Sequence, residues 1–203
     1  MKSRIVLSLA LAAGLAAPLS SRPSFAMSRP IFNLALGQTF GADGSPSEGG
    51  LSAAVSPMWP VGERASFGVT LFMDDVGTRL GQMLDVHNGS DLGTAALLHR
   101  WAWGGAWRGD VDAVRVRRWT VATSGSLGWW RVEDDIRGSY VAAASSVGLG
   151  LGATARRPVA AGQELGIAIR WQRLFDEKNA SYRRMDKYAS VALEWKWAGA
   201  PRP

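Results

Sequence analysis

The 203-residue chain has no cysteine, only two histidines, and no uncharged apolar run long enough to cross a membrane as a helix. Without cysteine it can form no disulfide, no thiol nucleophile and no cysteine-ligated zinc site. The histidines, His87 and His99, have no Ser, Asp or Glu at a recognisable catalytic spacing, which argues against a hydrolytic centre. A chain of this kind that enters a membrane must do so as a closed sheet.

Residues 1–26 have the pattern of a cleaved secretory signal peptide. Lys2 and Arg4 precede the uncharged stretch from Ile5 to Ala17, and the segment ends on Ser24-Phe25-Ala26, with small residues at both key cleavage positions. We therefore expect export through the general secretory pathway and a mature chain that begins at residue 27.

Nucleic-acid binding has little support in the charge pattern. The signal peptide removes three of the 23 Lys and Arg residues and none of the 17 Asp and Glu residues, so the mature net charge is 20 − 17 = +3. The pairs Arg117-Arg118, Arg156-Arg157 and Arg183-Arg184 are far apart in sequence and are not interleaved with aromatic residues on a common face. We expect no nucleic-acid partner.

The mature chain alternates between apolar and small or polar residues with period two, which is typical of strands. In the third segment, Phe67, Val69 and Leu71 alternate with Gly68 and Thr70. The pattern predicts eight strands, at about 31–41, 51–59, 65–73, 94–104, 119–129, 141–155, 164–172 and 189–197, the fourth without an assignable register.

The connections between these strands alternate in length. The long connections are predicted at 42–50, 74–93, 132–139 and 176–187. The acidic residues that begin or fill them, such as Asp74-Asp75 and Glu133-Asp134-Asp135, are interpreted as solvated surface charge, with a site for a divalent ion or a cationic partner as the alternative. Long loops at one rim and short turns at the other are typical of an up-and-down membrane barrel, with both termini at the short-turned rim. The predicted fold is therefore all-β, an eight-stranded antiparallel transmembrane β-barrel over 27–198, followed by a short tail, 199–203.

The composition of the two strand faces predicts which face meets lipid. The polar face is rich in Gly, Ala, Ser and Thr, which suits the narrow interior of an eight-stranded barrel. Tryptophans near the strand ends on the apolar face fit the aromatic girdles of membrane barrels. The predicted girdle comprises Trp59, Trp119, Trp129, Trp171, Trp195 and Trp197.

This pattern resembles the small eight-stranded outer-membrane barrels, such as the transmembrane domain of outer membrane protein A and the opacity-type surface proteins. The stretch from Gly125 to Arg131 resembles their fifth strand, and Val147 to Gly152 resembles their sixth. The family usually ends on an aromatic residue, whereas here Trp197 is followed by Ala198 to Pro203. The resemblance implies a Gram-negative cell envelope, contact with outer-membrane lipid and lipopolysaccharide, and recognition by the barrel assembly machinery.

Charged residues on the predicted lumenal face must pair to offset the loss of hydration. Glu164 and Arg170 lie on the seventh strand, and Glu194 and Lys196 lie on the eighth. We expect them to form a structural salt-bridge cluster that plugs the lumen, with a gate for a narrow pore as the alternative. Arg100 is also expected to face the lumen, because a charge facing lipid at mid-depth costs about 2–4 kcal/mol.

These observations predict a monomeric outer-membrane barrel with a structural or surface-interaction role in its loops, and not a general diffusion pore. No catalytic residue, cofactor site or metal site is predicted. One alternative is a soluble periplasmic or secreted barrel that binds an apolar ligand. A second is a lipid-modifying enzyme of the lipid A deacylase type, although the strand Ile169-Arg170-Trp171-Gln172-Arg173 lacks the histidine that such enzymes use as a base.

Overall fold

A computed structural model of the protein describes residues 29–41, 50–84, 91–136, 139–175 and 187–198. The predicted signal peptide, the tail at 199–203 and most of the loops at 42–50 and 176–187 lie outside these residues. No helix within the described ranges is long and apolar enough to span a membrane.

The described chain forms a single closed antiparallel sheet of eight strands, each paired with its neighbours in sequence. The barrel closes where the first strand pairs with the last, from Ile31 opposite Ala198 to Gly41 opposite Tyr188. The predicted fold class is confirmed. The strands are β1 (Ile31–Gly41), β2 (Leu51–Pro60), β3 (Ala65–Leu84), β4 (Asp91–Val116), β5 (Trp119–Ile136), β6 (Ser139–Ala160), β7 (Gln163–Leu174) and β8 (Lys187–Ala198).

The barrel is apolar outside and polar or small inside, which is the arrangement of a membrane barrel. In β1, Leu34 and Leu36 are exposed on the outer surface, while Asn33 and Ala35 are buried. Small lumenal residues let neighbouring strands lie close together: a Cβ on Gly128 would lie 2.3 Å from the Cα of Ala106, its partner on β4. The described residues with large exposed apolar side chains on the strands include Phe32, Val55, Phe67, Leu71, Trp107, Leu127, Val147, Ile167, Ile169 and Leu193.

The prediction of a long loop at 74–93 is wrong. Strand β3 continues to Leu84, and β4 begins at Asp91 and extends to Val116, well beyond the predicted end at 104. The two strands stay paired through most of this region, with register irregularities between Asp75 and Gly77 and between Gln82 and Leu84. Backbone pairing does not require apolar side chains on one face, so a strand that rises out of the lipid loses the alternation that identifies it.

The predicted loop at 132–139 is also largely strand. Strand β5 continues to Ile136 and β6 begins at Ser139. As a result, β3 to β6 contain 20, 26, 18 and 22 residues, whereas the other four strands contain only 10 to 12. One half of the barrel wall is therefore much taller than the other, and much of the difference lies at the long-looped rim.

Candidate functional site in the lumen

A buried ionic cluster lies midway along the lumen. The carboxylate of Glu194 on β8 accepts hydrogen bonds from Arg170 on β7 at 2.7 Å and from Arg108 on β4 at 3.1 Å. Arg108 also donates to both carboxylate oxygens of Asp110, at 2.7 and 2.9 Å. We call Arg108, Asp110, Arg170 and Glu194 the central cluster; its two arginines and two carboxylates balance in charge.

Polar side chains from other strands complete the hydrogen bonding of the central cluster. Asn33 donates to Asp110 at 3.4 Å, Arg108 donates to Ser56 at 3.3 Å, and Thr154 donates to Glu194 at 3.5 Å. Ser56 in turn donates to Thr70 at 2.8 Å. Because these residues come from seven of the eight strands, the cluster links opposite walls of the barrel.

A second group of charges lies nearer the short-turned rim. Glu164 contacts the Nε of Arg156 at 2.8 Å and the Nζ of Lys196 at 3.4 Å. Asp112 pairs with Arg156 and with Arg115, the latter at 3.3 Å. We call Asp112, Arg156, Glu164 and Lys196 the rim cluster; Lys196 lies opposite Glu164 in the pairing of β7 with β8.

The four lumenal charges predicted from sequence are thus divided between two groups. Arg170 pairs with Glu194, and Glu164 pairs with Lys196. The partners that complete each group, Arg108 and Asp110 in one and Asp112 and Arg156 in the other, were not identified. Three of these four lie on β4 beyond residue 104, where the strand was predicted to end, although Arg108, Asp110 and Asp112 alternate with outward residues at period two.

An apolar layer closes the lumen on the loop-bearing side of the central cluster. Trp130 is fully buried, and its ring lies 4.9 Å from that of Phe72 between centroids. The other lumenal apolar residues packed here are Val76, Ala102, Val132 and Leu174. We call these residues, with Trp130 and Phe72, the loop-side layer. The inward direction of Trp130 follows from period two, since Trp129 faces outward, but its closing role was not predicted.

A short polar chain supports the loop-side layer. The Trp130 indole donates to the Tyr188 hydroxyl at 3.3 Å, and that hydroxyl donates to Asp74 at 2.8 Å. Ser52 donates to the other oxygen of Asp74 at 2.6 Å. The interpretation of Asp74 as solvated surface charge is therefore wrong: its carboxylate is buried on the lumenal face of β3, where partners on β2 and β8 satisfy it.

A small cavity separates the loop-side layer from the central cluster. Its volume is about 20 Å³, room for a single water molecule. Gln172 lines this cavity, and its buried Oε1 accepts no hydrogen bond from the described residues. Between these two groups, the described side chains therefore leave a space the size of one water, lined by both polar and apolar residues.

All six tryptophans of the predicted girdle lie on the outer surface. Trp59, Trp119, Trp129, Trp195 and Trp197 have exposed side chains, and Trp171 is half-buried. Two further tryptophans, Trp103 and Trp107, also face outward, on the part of β4 whose register could not be assigned from sequence. Trp103 packs edge-on against Trp129 at 6.1 Å, and Trp107 stacks on Phe67 at 5.7 Å.

His99, the histidine that the structure describes, and its neighbour Arg100 lie near the loop-bearing rim. His99 Nε2 is 3.1 Å from an oxygen of Asp75, and Arg100 is buried on the lumenal side, as expected. Among the residues that the structure describes, no cluster of three or more His, Asp or Glu side chains could hold a metal ion.

The fold is similar to those of two solved outer-membrane proteins. Neisserial surface protein A shares 13% identity with a TM-score of 0.55, over 84% of this chain and 96% of that one. A major outer membrane protein of Thermus thermophilus shares 10% identity with a TM-score of 0.55, over 83% of this chain and 98% of that one. No family model and no curated protein matches the sequence. The likeness shows the fold, that of a small outer-membrane β-barrel.

Proposed function

We propose that this protein is a monomeric outer-membrane barrel whose role is structural or surface-interactive, carried by its loop-bearing rim. The observation that carries this proposal is the closed lumen. The loop-side layer and the central cluster block the barrel axis in succession, and both are built from side chains with specific packing or ion-pair partners. A general diffusion pore would need a continuous aqueous path instead.

The tall wall of β3 to β6 supports a role at the loop-bearing rim. The pairing of β2 with β3 ends at Ser52 opposite Asp74, whereas β3 continues for ten more residues, about 30 Å along the strand. On the other side, the pairing of β6 with β7 ends at Gly148 opposite Leu174, whereas β6 begins at Ser139. No described strand pairs with these two outer edges, and an unpaired edge can accept an extended segment of a partner.

The outward apolar face argues against the alternative of a soluble ligand carrier. A soluble calyx would direct Leu36, Leu71 and Ile167 inward, but more than half of the surface of each is exposed here. Burial in lipid removes this surface from water. Outer-membrane lipid and lipopolysaccharide are therefore the proposed surroundings of the barrel, and the barrel assembly machinery its proposed partner during insertion.

We also propose that the protein is not an enzyme. The second alternative, a lipid A deacylase, predicts loss of activity when His99 or Ser181 is changed. His99 contacts Asp75 and the ring of Trp101, 5.5 Å away between centroids, and Ser181 lies outside the described residues. The mass spectrum of lipid A should be the same in cells with and without the protein, and loss of an acyl chain that depends on His99 would contradict this part of the proposal.

Two measurements on the mature protein test the proposed function. In a detergent extract of the outer membrane, unboiled protein should run faster on a gel than boiled protein, because a closed barrel resists unfolding by the gel detergent. Liposomes that contain the folded protein should not swell in small sugars, and an epitope inserted at 85–90 should be accessible on intact cells. Swelling like that of a diffusion porin, or a heat-insensitive soluble protein, would contradict the proposal.

A further inference from the structure

The outer surface near the short-turned rim carries a strong excess of positive charge. Six arginines are exposed there, whereas one carboxylate, Glu63, is exposed in the same part of the described chain. Asp112 and Glu164, which also lie at this rim, are partly buried in ion pairs of the rim cluster. The exposed arginines are Arg29, Arg64, Arg115, Arg117, Arg118 and Arg157.

Three of these arginines lie on adjoining elements beside a girdle tryptophan. Strand β4 ends at Val116 opposite Trp119, so Arg117 and Arg118 form a two-residue turn at the tip. The pairing of Thr120 with Arg156 places Trp119 opposite Arg157 on the outer surface. The Arg157 guanidinium lies over the Trp119 ring, 5.8 Å from its centroid. The expectation that these arginine pairs share no face with an aromatic residue is therefore wrong for Arg157.

The backbone conformation at the tip of the turn does not favour an arginine there. Arg117 has a φ of 55°, in the left-handed region that Gly and Asn adopt most easily and that tight two-residue hairpins use. A charged residue with a long side chain therefore occupies a position where a smaller residue would suit the backbone better.

The position of Trp119 along the barrel axis indicates which part of the lipid surrounds these arginines. Girdle tryptophans lie at the boundary between the hydrocarbon and the headgroups, so a guanidinium stacked on the ring lies among the phosphates. Near the other rim, Arg131 lies over Trp103 at 5.9 Å in the same way, but Glu133 pairs with it at 3.0 Å. Arg157 has no acidic partner among the described residues, so its charge is available to an anion.

We propose that Arg117, Arg118 and Arg157 form a binding site for the phosphate headgroups of anionic phospholipids in the leaflet that surrounds the short-turned rim. The arginines supply charge and paired N–H donors, and Trp119 supplies an amphipathic surface for the glycerol region. This inference rests on the proposed function, since the site exists only if the barrel spans a membrane.

Native mass spectrometry of the folded mature protein, with equal amounts of phosphatidylglycerol and phosphatidylcholine in the detergent, tests the site. Wild type should retain phosphatidylglycerol preferentially. The triple variant Arg117→Gln, Arg118→Gln, Arg157→Gln should lose most of that preference, by about fivefold for each arginine. The matched control is Arg131→Gln, which removes the same charge above a tryptophan but beside a carboxylate, and it should keep the preference.

Several outcomes would overturn the site. They are equal retention of the two lipids by wild type, an unchanged preference in the triple variant, an equal loss in Arg131→Gln, or displacement of the lipid by soluble glycerol phosphate at matched concentration. The heat-dependent gel shift separates these results from failure of the proposed function, because it reports the closed barrel whatever lipid is bound. If the triple variant does not fold, Arg157→Gln alone provides the same test with a smaller change.

Discussion

Two regions of the lumen close the same barrel by different chemistry. Near the loop-bearing rim, Trp130 and Phe72 pack among apolar side chains, and the buried indole donates to one hydroxyl, which in turn donates to a carboxylate. Midway along the axis, Arg108 and Glu194 are as deeply buried but are charged, and they depend on each other and on Arg170 for stability.

The two regions differ in the kind of substitution that each tolerates. An apolar layer loses stability in proportion to the volume removed, and it can partly repack. An ionic cluster has already lost the hydration of every member, so removing one charge leaves the others buried without compensation. A substitution in the central cluster should therefore lower the stability of the barrel when it removes a charge, even if the side chain keeps its size. A substitution in the loop-side layer should lower the stability when it makes the side chain smaller.

The largest effect is expected from Glu194→Leu. The substitution removes the carboxylate that Arg108 and Arg170 share and should lower the free energy of unfolding by about 3–5 kcal/mol. Urea titration in lipid vesicles, followed by tryptophan fluorescence, measures this change. Glu194→Gln keeps an acceptor oxygen and should lose less; if both variants match wild type, the cluster does not stabilise the barrel.

The next largest effect is expected from Trp130→Ala. It removes a large, fully buried side chain and should lower the free energy of unfolding by about 3 kcal/mol. It should also open the loop-side layer, so that in the Glu194→Leu background, where the central cluster is broken, single-channel recording should detect ion conductance above that of Glu194→Leu alone. The matched control is Trp129→Ala, the adjacent outward-facing tryptophan. Conductance increases of the same size in both variants would show that Trp130 does not close the lumen.

A smaller decrease in the free energy of unfolding, about 1–3 kcal/mol, is expected for Tyr188→Phe. The change leaves the ring in place but removes the hydroxyl that accepts from Trp130 and donates to Asp74. Ser52→Ala removes the other hydrogen bond to Asp74, and the double variant should lose more than the sum of the single losses. Strict additivity in the same urea titration would indicate that the two hydroxyls do not act on a common carboxylate.

The smallest effect should be that of Arg131→Gln. Its ion pair with Glu133 is more than one-third exposed, and pairs of this kind contribute about 0–1 kcal/mol. The variant should unfold at nearly the urea concentration of wild type, and added salt should reduce the difference further. A loss as large as that of Glu194→Leu would mean that burial is not what distinguishes the two ion pairs.

The sequence predicted the short strands more closely than the tall ones. The predicted segment at 31–41 coincides with β1, and the one at 51–59 differs from β2 by one residue. Both strands have one face toward lipid over nearly their full length, so the alternation extends to their ends. At the loop-bearing rim, strands β3 and β4 extend beyond the lipid, where either face can be polar, and there the pattern no longer marks a strand.

Two of the four residues of the central cluster were predictable from the sequence. Period two placed Arg170 and Glu194 on one face of neighbouring strands, and the structure brings them together. Arg108 could not be added, because the boundary and register of β4 were unknown. A single error in the end of that strand removed both of its central-cluster residues, Arg108 and Asp110, from consideration.

The sequence by itself determined the number of strands, their order along the chain and, for every strand but the fourth, the face that is turned outward. Those properties depend on local alternation and on the lengths of the connections, which any short window of residues reveals. The tertiary structure decided which charges meet inside. Arg108 and Glu194 are separated by 86 residues and meet across the lumen. Their contact depends on barrel closure and on the register of all the intervening strands, which no local pattern encodes.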